Sequence, residues 1–479
     1  MKRESGETLI IAGASGFVGS NLRRALAGSF HFRAITRSQS LAQAGLTEWN
    51  TDWVLADMFS LPQMEKALAG AGRRAIYLVH SMLPSARLNQ SRFEDLDLLL
   101  ADNFARAAAA GGVEEIIFLG GLIPSGPRAS LSPHLRSRLE VEEALGARGA
   151  TVTVLRAGVI VGPGGSSLRM LVNLIHRLPL MVLPGWVRSR TRCLSIEDLI
   201  RAARHVLEDP GLAGGVYDLG GPDPLTYEKM IRQGAETMGL RRHLVTLPIR
   251  SVGVSKIWIR IFSGAPMSLV DPLVDSLRHN LDLQPNPLQA RIEADALTFP
   301  LALKRSLDGQ GHLLPNPRER TQTEDNRLIR TARRVRSVQR LPLPPGLRAA
   351  DVAEIYFRWL ARFFAPLIEA ERRSDGGFCL RLFPLSVPLL QLSPSDLTPE
   401  ADRKVYYIRG GFLANTRAEP PGRFEFREVM NGREIITAIH AYQPRLPWHF
   451  YNFTQALLHL YVMRAFGAYL EERMRDEHR

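Results

Sequence analysis

The stretch "LIIAGASGFVGSNLRRAL", Leu9 to Leu26, narrows the choice of fold more than any other part of the chain. A short apolar run ends in glycine and gives way to a helical pattern within a few residues. Gly13, Gly16 and Gly19 stand at that junction. The first allows a tight turn. The second removes a side chain where a phosphate must approach the backbone, and the third lets the helix pack close to the strand. A helix N-terminus placed there offers N–H groups and partial positive charge to an anion. A lone glycine triplet is a weak signal. With a strand before it, a helix after it and further strand–helix units downstream, this one predicts a dinucleotide loop. Its residues are Gly13, Ala14, Ser15, Gly16, Phe17, Val18 and Gly19.

The pattern continues. "HFRAITR", "DWVLAD", "RAIYLVHS", "EEIIFLGG" and "TVTVLRAGVIVG" read as strands. "LPQMEKALAGA", "FEDLDLLLADNFARAAAAGG" and "HLRSRLEVEEALGARG" read as helices between them. Such alternation implies an α/β fold, a doubly wound parallel sheet covered on both faces. The strands are near-continuous apolar runs, as strands buried on both faces should be. We expect this dinucleotide-binding part over residues 1–225 and a mostly helical, substrate-side segment of the same unit over 226–310. "MIRQGAETMGL" and "MSLVDPLVDSLRHNL" are that segment's helix candidates. Residues 311–334 are polar, charged and rich in helix breakers, and read as a linker. Residues 335–479 run strand, helix, several strands, long helix, and predict an α+β domain. Asn431-Gly432 between its last two strands is a type I′ hairpin signal.

A chain of 479 residues, 45% apolar and 23% charged, suits a soluble globular protein of two to four domains. Its two cysteines, Cys193 and Cys379, are too few for a disulfide framework or a cysteine-based zinc site. No signal peptide and no long uninterrupted apolar run is visible, so the expectation is a cytoplasmic protein without a membrane span. "FYNFTQALLHLYVMRAFGAYL" comes nearest but carries Asn452, Gln455, His459 and Arg464. The net charge of +13 attracts phosphates, nucleic acid and anionic lipid without specificity. Its densest patch, Arg327–Arg340, has no zinc-finger or RNA-recognition signature beside it and reads as a solvated linker face. No specific nucleic-acid partner is expected, and a weak peripheral membrane contact stays open. Walker, HExxH and GxSxG motifs are missing, and no metal-ligand spacing is present.

The GxxGxxG spacing resembles the short-chain dehydrogenase/reductase superfamily in its extended or atypical branches, and implies a Rossmann fold. In that family an acidic residue after the second strand binds the ribose of NAD. Here "AITRSQS" offers Arg37, which favours the 2′-phosphate of NADP, with NAD the alternative cofactor. Asp57 in "VLADMFS" matches the acid that touches adenine, and Val79, His80 and Ser81 in "YLVHSM" match the strand end that lines the cofactor. "YLVHSM", "HLRSRLEVEEAL", "LRAGVIVGPGGSS" and "WVRSRTRCLSIEDL" together look like an atypical, NmrA-like group, related to the Rossmann accessory subunit of respiratory complex I. The likeness covers roughly Leu9 to Leu307. Some bacterial members carry an extra C-terminal domain, and the element order of residues 335–479 is similar to the helix-grip fold, START or polyketide-cyclase-like.

The superfamily's usual site needs a Tyr and, four residues on, a Lys. In "SPHLRSRLEVEEAL" those slots read His134 and Arg138. The usual Ser position is occupied by Gly120 and Gly121, with Ser125 a few residues later. Arg138 could hold a ribose or phosphate but cannot deprotonate. His134 is either a general acid, with an ordinary pKa of about 6.5, or a packed residue at the start of its helix. His80 is a second candidate. Arg156 and "GPGG" (Gly162–Gly165) resemble the loop beneath the nicotinamide. Arg188, Arg190 and Arg192 are either anion contacts or surface charge, and Ser195 reads as a helix cap before Asp198. Two functions follow. One is an NADP-dependent oxidoreductase with a non-standard site for a small, apolar organic substrate. The other is a non-catalytic dinucleotide-binding regulatory or assembly protein.

Overall fold

A computed structural model describes residues 6–43, 48–81, 88–246, 274–315, 335–395, 401–417 and 420–476. Residues 267–273 of the "MSLVDPLVDSLRHNL" candidate, the linker beyond residue 315 and the start of the basic patch lie outside them. The chain forms two compact units. The first comprises residues 1–83 and 100–323, the second residues 84–99 and 324–479.

In the first unit, β1 (Thr8–Ala12), β2 (His31–Thr36), β3 (Thr51–Leu55), β4 (Arg74–Tyr77), β6 (Glu115–Gly121), β7 (Thr151–Ala157) and β12 (Val216–Leu219) form one sheet. Its order is β12-β7-β6-β4-β1-β2-β3, and every neighbouring pair is parallel. The order reverses between β1 and β4, and ligands of such sheets bind at the carboxyl ends of the strands at that reversal. Leu9, Ile10, Ile11 and Ala12 are all fully buried, which is why β1 reads as an unbroken apolar run.

Helices cover both faces: α1 (Phe17–Leu26), α2 (Gln39–Gln43), α3 (Leu61–Leu68), α4 (Phe93–Gly111, of which residues 93–99 belong to the second unit), α5 (Pro133–Gly146), α6 (Ser166–Arg177) and α7 (Ile196–Glu208). On one face Leu22 and Leu26 of α1 join Leu199 and Ala203 of α7 over Leu9, Ile11 and Ile117. On the other, Phe104 of α4 meets the Tyr77 ring edge-on at 5.1 Å. "TVTVLRAGVIVG" does not run as one strand. β7 stops at Ala157, and β8 is only Ile160–Val161. Between them a Cβ on Gly158 would sit 2.9 Å from Thr191 Oγ1, so another segment crosses too close for a regular strand. Short pairs complete the unit: β8 with β11 (Leu194–Ser195), β9 (Leu180–Leu183) with β14 (His243–Thr246), and β10 (Arg190–Thr191) with β13 (Leu225–Thr226). The region beyond β12 holds α8 (Tyr227–Thr237), α9 (Pro287–Glu293) and α10 (Phe299–Ser306). Met230 and Leu303 share a second apolar cluster with Ile175 of α6.

The second unit is an eight-stranded sheet with helices on it. Its strands are β5 (Leu88–Gln90), β15 (Val335–Pro342), β16 (Ile368–Arg372), β17 (Phe378–Leu382), β18 (Val387–Pro394), β19 (Arg403–Gly410), β20 (Arg423–Val429) and β21 (Glu434–Tyr442). The order is β16-β17-β18-β19-β20-β21-β15-β5, antiparallel except for the parallel β15–β5 pair. Its helices are α11 (Ala349–Phe363), α12 (Trp448–Phe453) and α13 (Gln455–Asp476). Phe424 and Phe426 of β20 pack with Tyr356 and Phe357 of α11 and Phe466 of α13. The alternate residues of β20 point to the other face, as the period of two requires. There Glu425 accepts from Arg403 Nε at 2.6 Å and Arg427 Nε at 2.7 Å. Asn431 and Gly432 have φ of 55° and 75°, the positive values a type I′ turn demands, and Arg433 N donates to Met430 O across them.

Candidate dinucleotide site

The glycine loop sits at the carboxyl end of β1, where the sheet order reverses. Gly13 has φ +85°, and a Cβ there would lie 3.0 Å from the Leu78 carbonyl carbon. Gly16 N donates to Gly13 O at 3.1 Å and closes the turn. A Cβ on Gly19 would come 2.4 Å from Gly13 O. Side chains are thus excluded where a pyrophosphate would meet the backbone. The helix α1 that follows has Gly16 as its N-cap, with no side chain capping it, and no acidic residue in its first turn. Its positive end is therefore not offset locally, which is the arrangement a phosphate needs. The fit to a dinucleotide is good on these grounds alone.

Arg23 is a supporting residue that sequence reading overlooked. It is fully buried, its Nε donates to Ala14 O at 3.1 Å, and its guanidinium lies over the Trp53 ring at 4.6 Å. It ties the glycine loop to β3. A buried arginine on an otherwise apolar helix face is its only signal in the sequence.

The other expected cofactor positions gather at the same sheet edge. Register aligns Ala12 with Ile35 of β2 and with Tyr77 of β4. Arg37 follows directly after β2 and is exposed, while Thr36 beside it is buried and accepts from Ser38 N at 3.0 Å. Asp57, two residues past β3, accepts from Phe59 N at 3.2 Å. Leu78 N donates to Ala12 O at 3.0 Å, which carries the β1–β4 pairing toward the half-buried Val79, His80 and Ser81. Gly120 is buried inside β6, where a Cβ would meet Glu142 Oε1 at 3.1 Å. Its lack of a side chain makes room for that carboxylate. Ser125 is exposed in the loop beyond β6.

α5 starts with Ser132, whose Oγ accepts from Leu135 N at 3.3 Å, and Pro133 takes the first turn. The cap is therefore Ser132, which leaves the His134 side chain for another partner. His80 Nε2 lies 3.2 Å from His134 Nδ1, and the two rings stack with centroids 5.0 Å apart. Four residues on, Arg138 turns inward. Its Nη2 donates to Leu119 O at 2.8 Å, its Nη1 to Val79 O at 3.4 Å, and its guanidinium lies over the Phe118 ring at 4.7 Å. Another four residues on, Glu142 grips Arg156 in a two-pronged pair of 3.0 and 2.7 Å. His134, Arg138 and Glu142 thus form one stripe of α5. The partner of Arg156 went unrecognised in the sequence, although Glu142 continues the spacing of four.

Of the remaining arginines, Arg190 pairs with Asp282 at 2.9 Å, and Arg192 donates to the Pro222 carbonyl at 3.2 Å. Arg188 closes a short helical turn, Gly185–Arg188. Ser195 caps α7 by accepting from Asp198 N at 3.0 Å.

Residues 9–220 match the family model described as the NAD dependent epimerase/dehydratase family. The match takes in less than half of the chain and is consistent with the resemblance to extended or atypical short-chain dehydrogenase/reductases. Among curated proteins, the auxiliary protein GraX of Staphylococcus aureus is 28% identical over 113 residues, which are 24% of this chain and 36% of GraX. The chain thus spans only about a third of that relative. An epimerase family protein of Mycobacterium bovis is 27% identical over 231 residues, 45% of this chain and 74% of its own. Among solved structures, a nucleoside-diphosphate-sugar epimerase of Staphylococcus aureus aligns at 17% identity with TM-score 0.49, covering 62% of this chain and 99% of its own. A Citrobacter triphenylmethane reductase aligns at 18% identity with TM-score 0.49, covering 62% of this chain and 98% of its own. Among the described residues, no helix is long and apolar enough to cross a membrane.

Proposed function

We propose that the protein is an NADP-dependent oxidoreductase for a small organic substrate, in which a histidine pair stands in for the usual Tyr–Lys pair. The observation that carries this reading is the 3.2 Å approach of His80 Nε2 to His134 Nδ1 at the carboxyl edge of the sheet. When bound, the nicotinamide supplies or accepts a hydride. The chain's own residues do the rest. Gly13, Gly16 and the first turn of α1 hold the pyrophosphate. Arg37, exposed at the end of β2, meets the adenosine 2′-phosphate. In its singly protonated form the pair shares a proton between the facing His80 Nε2 and His134 Nδ1. His134 gives its outward Nε2 proton to the substrate oxygen as the shared proton settles on its own Nδ1, which leaves both rings neutral. The antiparallel sheet of the second unit with the long α13 supports a helix-grip domain, a fold suited to an apolar ligand.

One observation favours the non-catalytic reading. Arg138 is buried and already engaged by the carbonyls of Leu119 and Val79, so the Lys slot holds the fold together in place of a ribose. Calorimetric titration with NADPH and NADH, followed by a screen of carbonyl and quinone substrates, separates the two. NADPH binding with turnover that drops about 100-fold or more in His134→Ala supports the enzyme. NADPH binding without turnover supports the regulator, and binding of neither cofactor refutes both.

A further inference from the structure

The second unit carries an apolar surface that its core leaves uncovered. Phe453, Leu457, Leu458 and Tyr461 are 47–76% exposed. Leu457, Tyr461 and Arg464 follow helical spacing along one face of α13, while Val462, Phe466 and Leu470 fill the core from its other side. The surface continues beyond the helix. The Tyr461 ring lies 5.9 Å from that of Phe363 at the end of α11. Leu367 follows, and its carbonyl accepts from Phe383 N at 3.0 Å at the turn between β17 and β18. Phe363, Leu367, Phe383 and Leu385 are all exposed. Scattered exposed leucines are ordinary, but a contiguous patch of this kind marks a surface that meets something apolar.

The charge around it is mainly basic, with the exposed Glu369 and Glu371 of β16, beyond Leu367, as its acidic border. Residues 355–368, 376–395 and 435–470, which supply the patch, contain no Asp or Glu. They contain the exposed Arg358, Arg362, Arg445 and Arg464. We propose that this face docks on an anionic lipid bilayer, its Phe and Leu side chains entering the boundary between headgroups and acyl chains and its arginines meeting lipid phosphates. Half of the patch is leucine, which offers no flat face for stacking on bases, so a nucleic acid fits it less well. A second copy of the chain would set arginines against arginines across a two-fold axis.

The test is flotation of the full chain with vesicles of phosphatidylcholine alone and of phosphatidylcholine mixed with phosphatidylglycerol. The wild type is expected to float with the mixed vesicles and far less with the neutral ones. Phe453→Ser combined with Leu457→Ser should bind the mixed vesicles at least about tenfold more weakly. Both positions are exposed, so its thermal unfolding and NADPH titration should match the wild type. The proposal is overturned if the wild type does not float, or if the double variant floats as well as the wild type. It is also overturned if a single-stranded oligonucleotide binds where vesicles do not, or if the wild type is a dimer in solution that the double variant dissociates.

Discussion

Replacing Gly19 by alanine puts the closest contact of the candidate site to a quantitative test. The added Cβ would fall 2.4 Å from Gly13 O and 2.8 Å from Ala14 Cα, both backbone atoms that no rotamer change can move. Ordinary contact begins at 3.4 Å, so α1 must retreat from the loop by about 1 Å (3.4 − 2.4). That retreat loosens Leu22 and Leu26 from Leu9 and Ile11, and stretches the bond from Arg23 Nε to Ala14 O. Forced overpacking of this kind costs about 1–3 kcal/mol. At about 2–4 °C per kcal/mol for a domain of this size, the melting temperature should fall by about 2–12 °C. The N–H groups of the first turn move with the helix. A displacement near 1 Å takes a hydrogen bond of ordinary length out of range, so NADPH should bind at least about tenfold more weakly. Gly28→Ala is the matched control. Gly28 lies just past the same helix, with open space around its Cβ and no positive φ. That change should leave NADPH binding intact and hold or slightly raise stability. The assay is thermal unfolding followed by circular dichroism, with calorimetric titration of each variant. If Gly19→Ala matches Gly28→Ala in both, the close-approach reasoning is wrong.

Two further outcomes are expected. Arg37→Met should weaken NADPH about tenfold or more while leaving NADH unchanged, read from the ratio of the two dissociation constants; an equal effect on both cofactors would remove Arg37 from the 2′-phosphate. The second unit should weaken in mild acid. Burial, reinforced by the Arg423 guanidinium, pushes the His440 imidazole down to about 4. The unfolded chain takes up that proton at about pH 6.5 and the folded chain only near 4, so stability is full above pH 6.5 and falls as pH drops toward 4. The loss from this one group is about 3 kcal/mol. Urea unfolding at pH 7 and pH 4.5 should show His440→Asn losing less than the wild type over that interval, and an equal loss would exclude His440 as the cause.

The parallel sheet was legible because β1, β4 and β6 are mostly buried and so appear as short apolar runs that alternate with helical patterns. The glycine loop was legible for a related reason: backbone crowding at Gly13 and Gly19 leaves a trace in residue type. The candidate proton pair was half legible. Both histidines stand out, but nothing in the sequence brings the end of β4 to the start of α5, 54 positions later. Arg138 shows the limit most clearly. Its partners are the carbonyls of Leu119 and Val79, and backbone carbonyls carry no residue signature. The split of "TVTVLRAGVIVG" into β7 and β8 was hidden because it depends on Thr191 passing close to Gly158.

β5 has a consequence for how this chain is made and cut. Leu88–Gln90 pairs with Val335–Ser337, and Ser337 Oγ donates to Gln90 O across 247 positions of sequence. During synthesis β5 leaves the ribosome long before its partner exists, and at ordinary rates waits on the order of tens of seconds. Until then β5 has no strand to pair with, and a fragment beginning near residue 324 would leave that edge of β15 bare and prone to self-pairing. A protease cut between residues 316 and 334 would sever the chain without freeing the second sheet, because one of its strands belongs to the other fragment. The two halves should therefore migrate together until they are denatured.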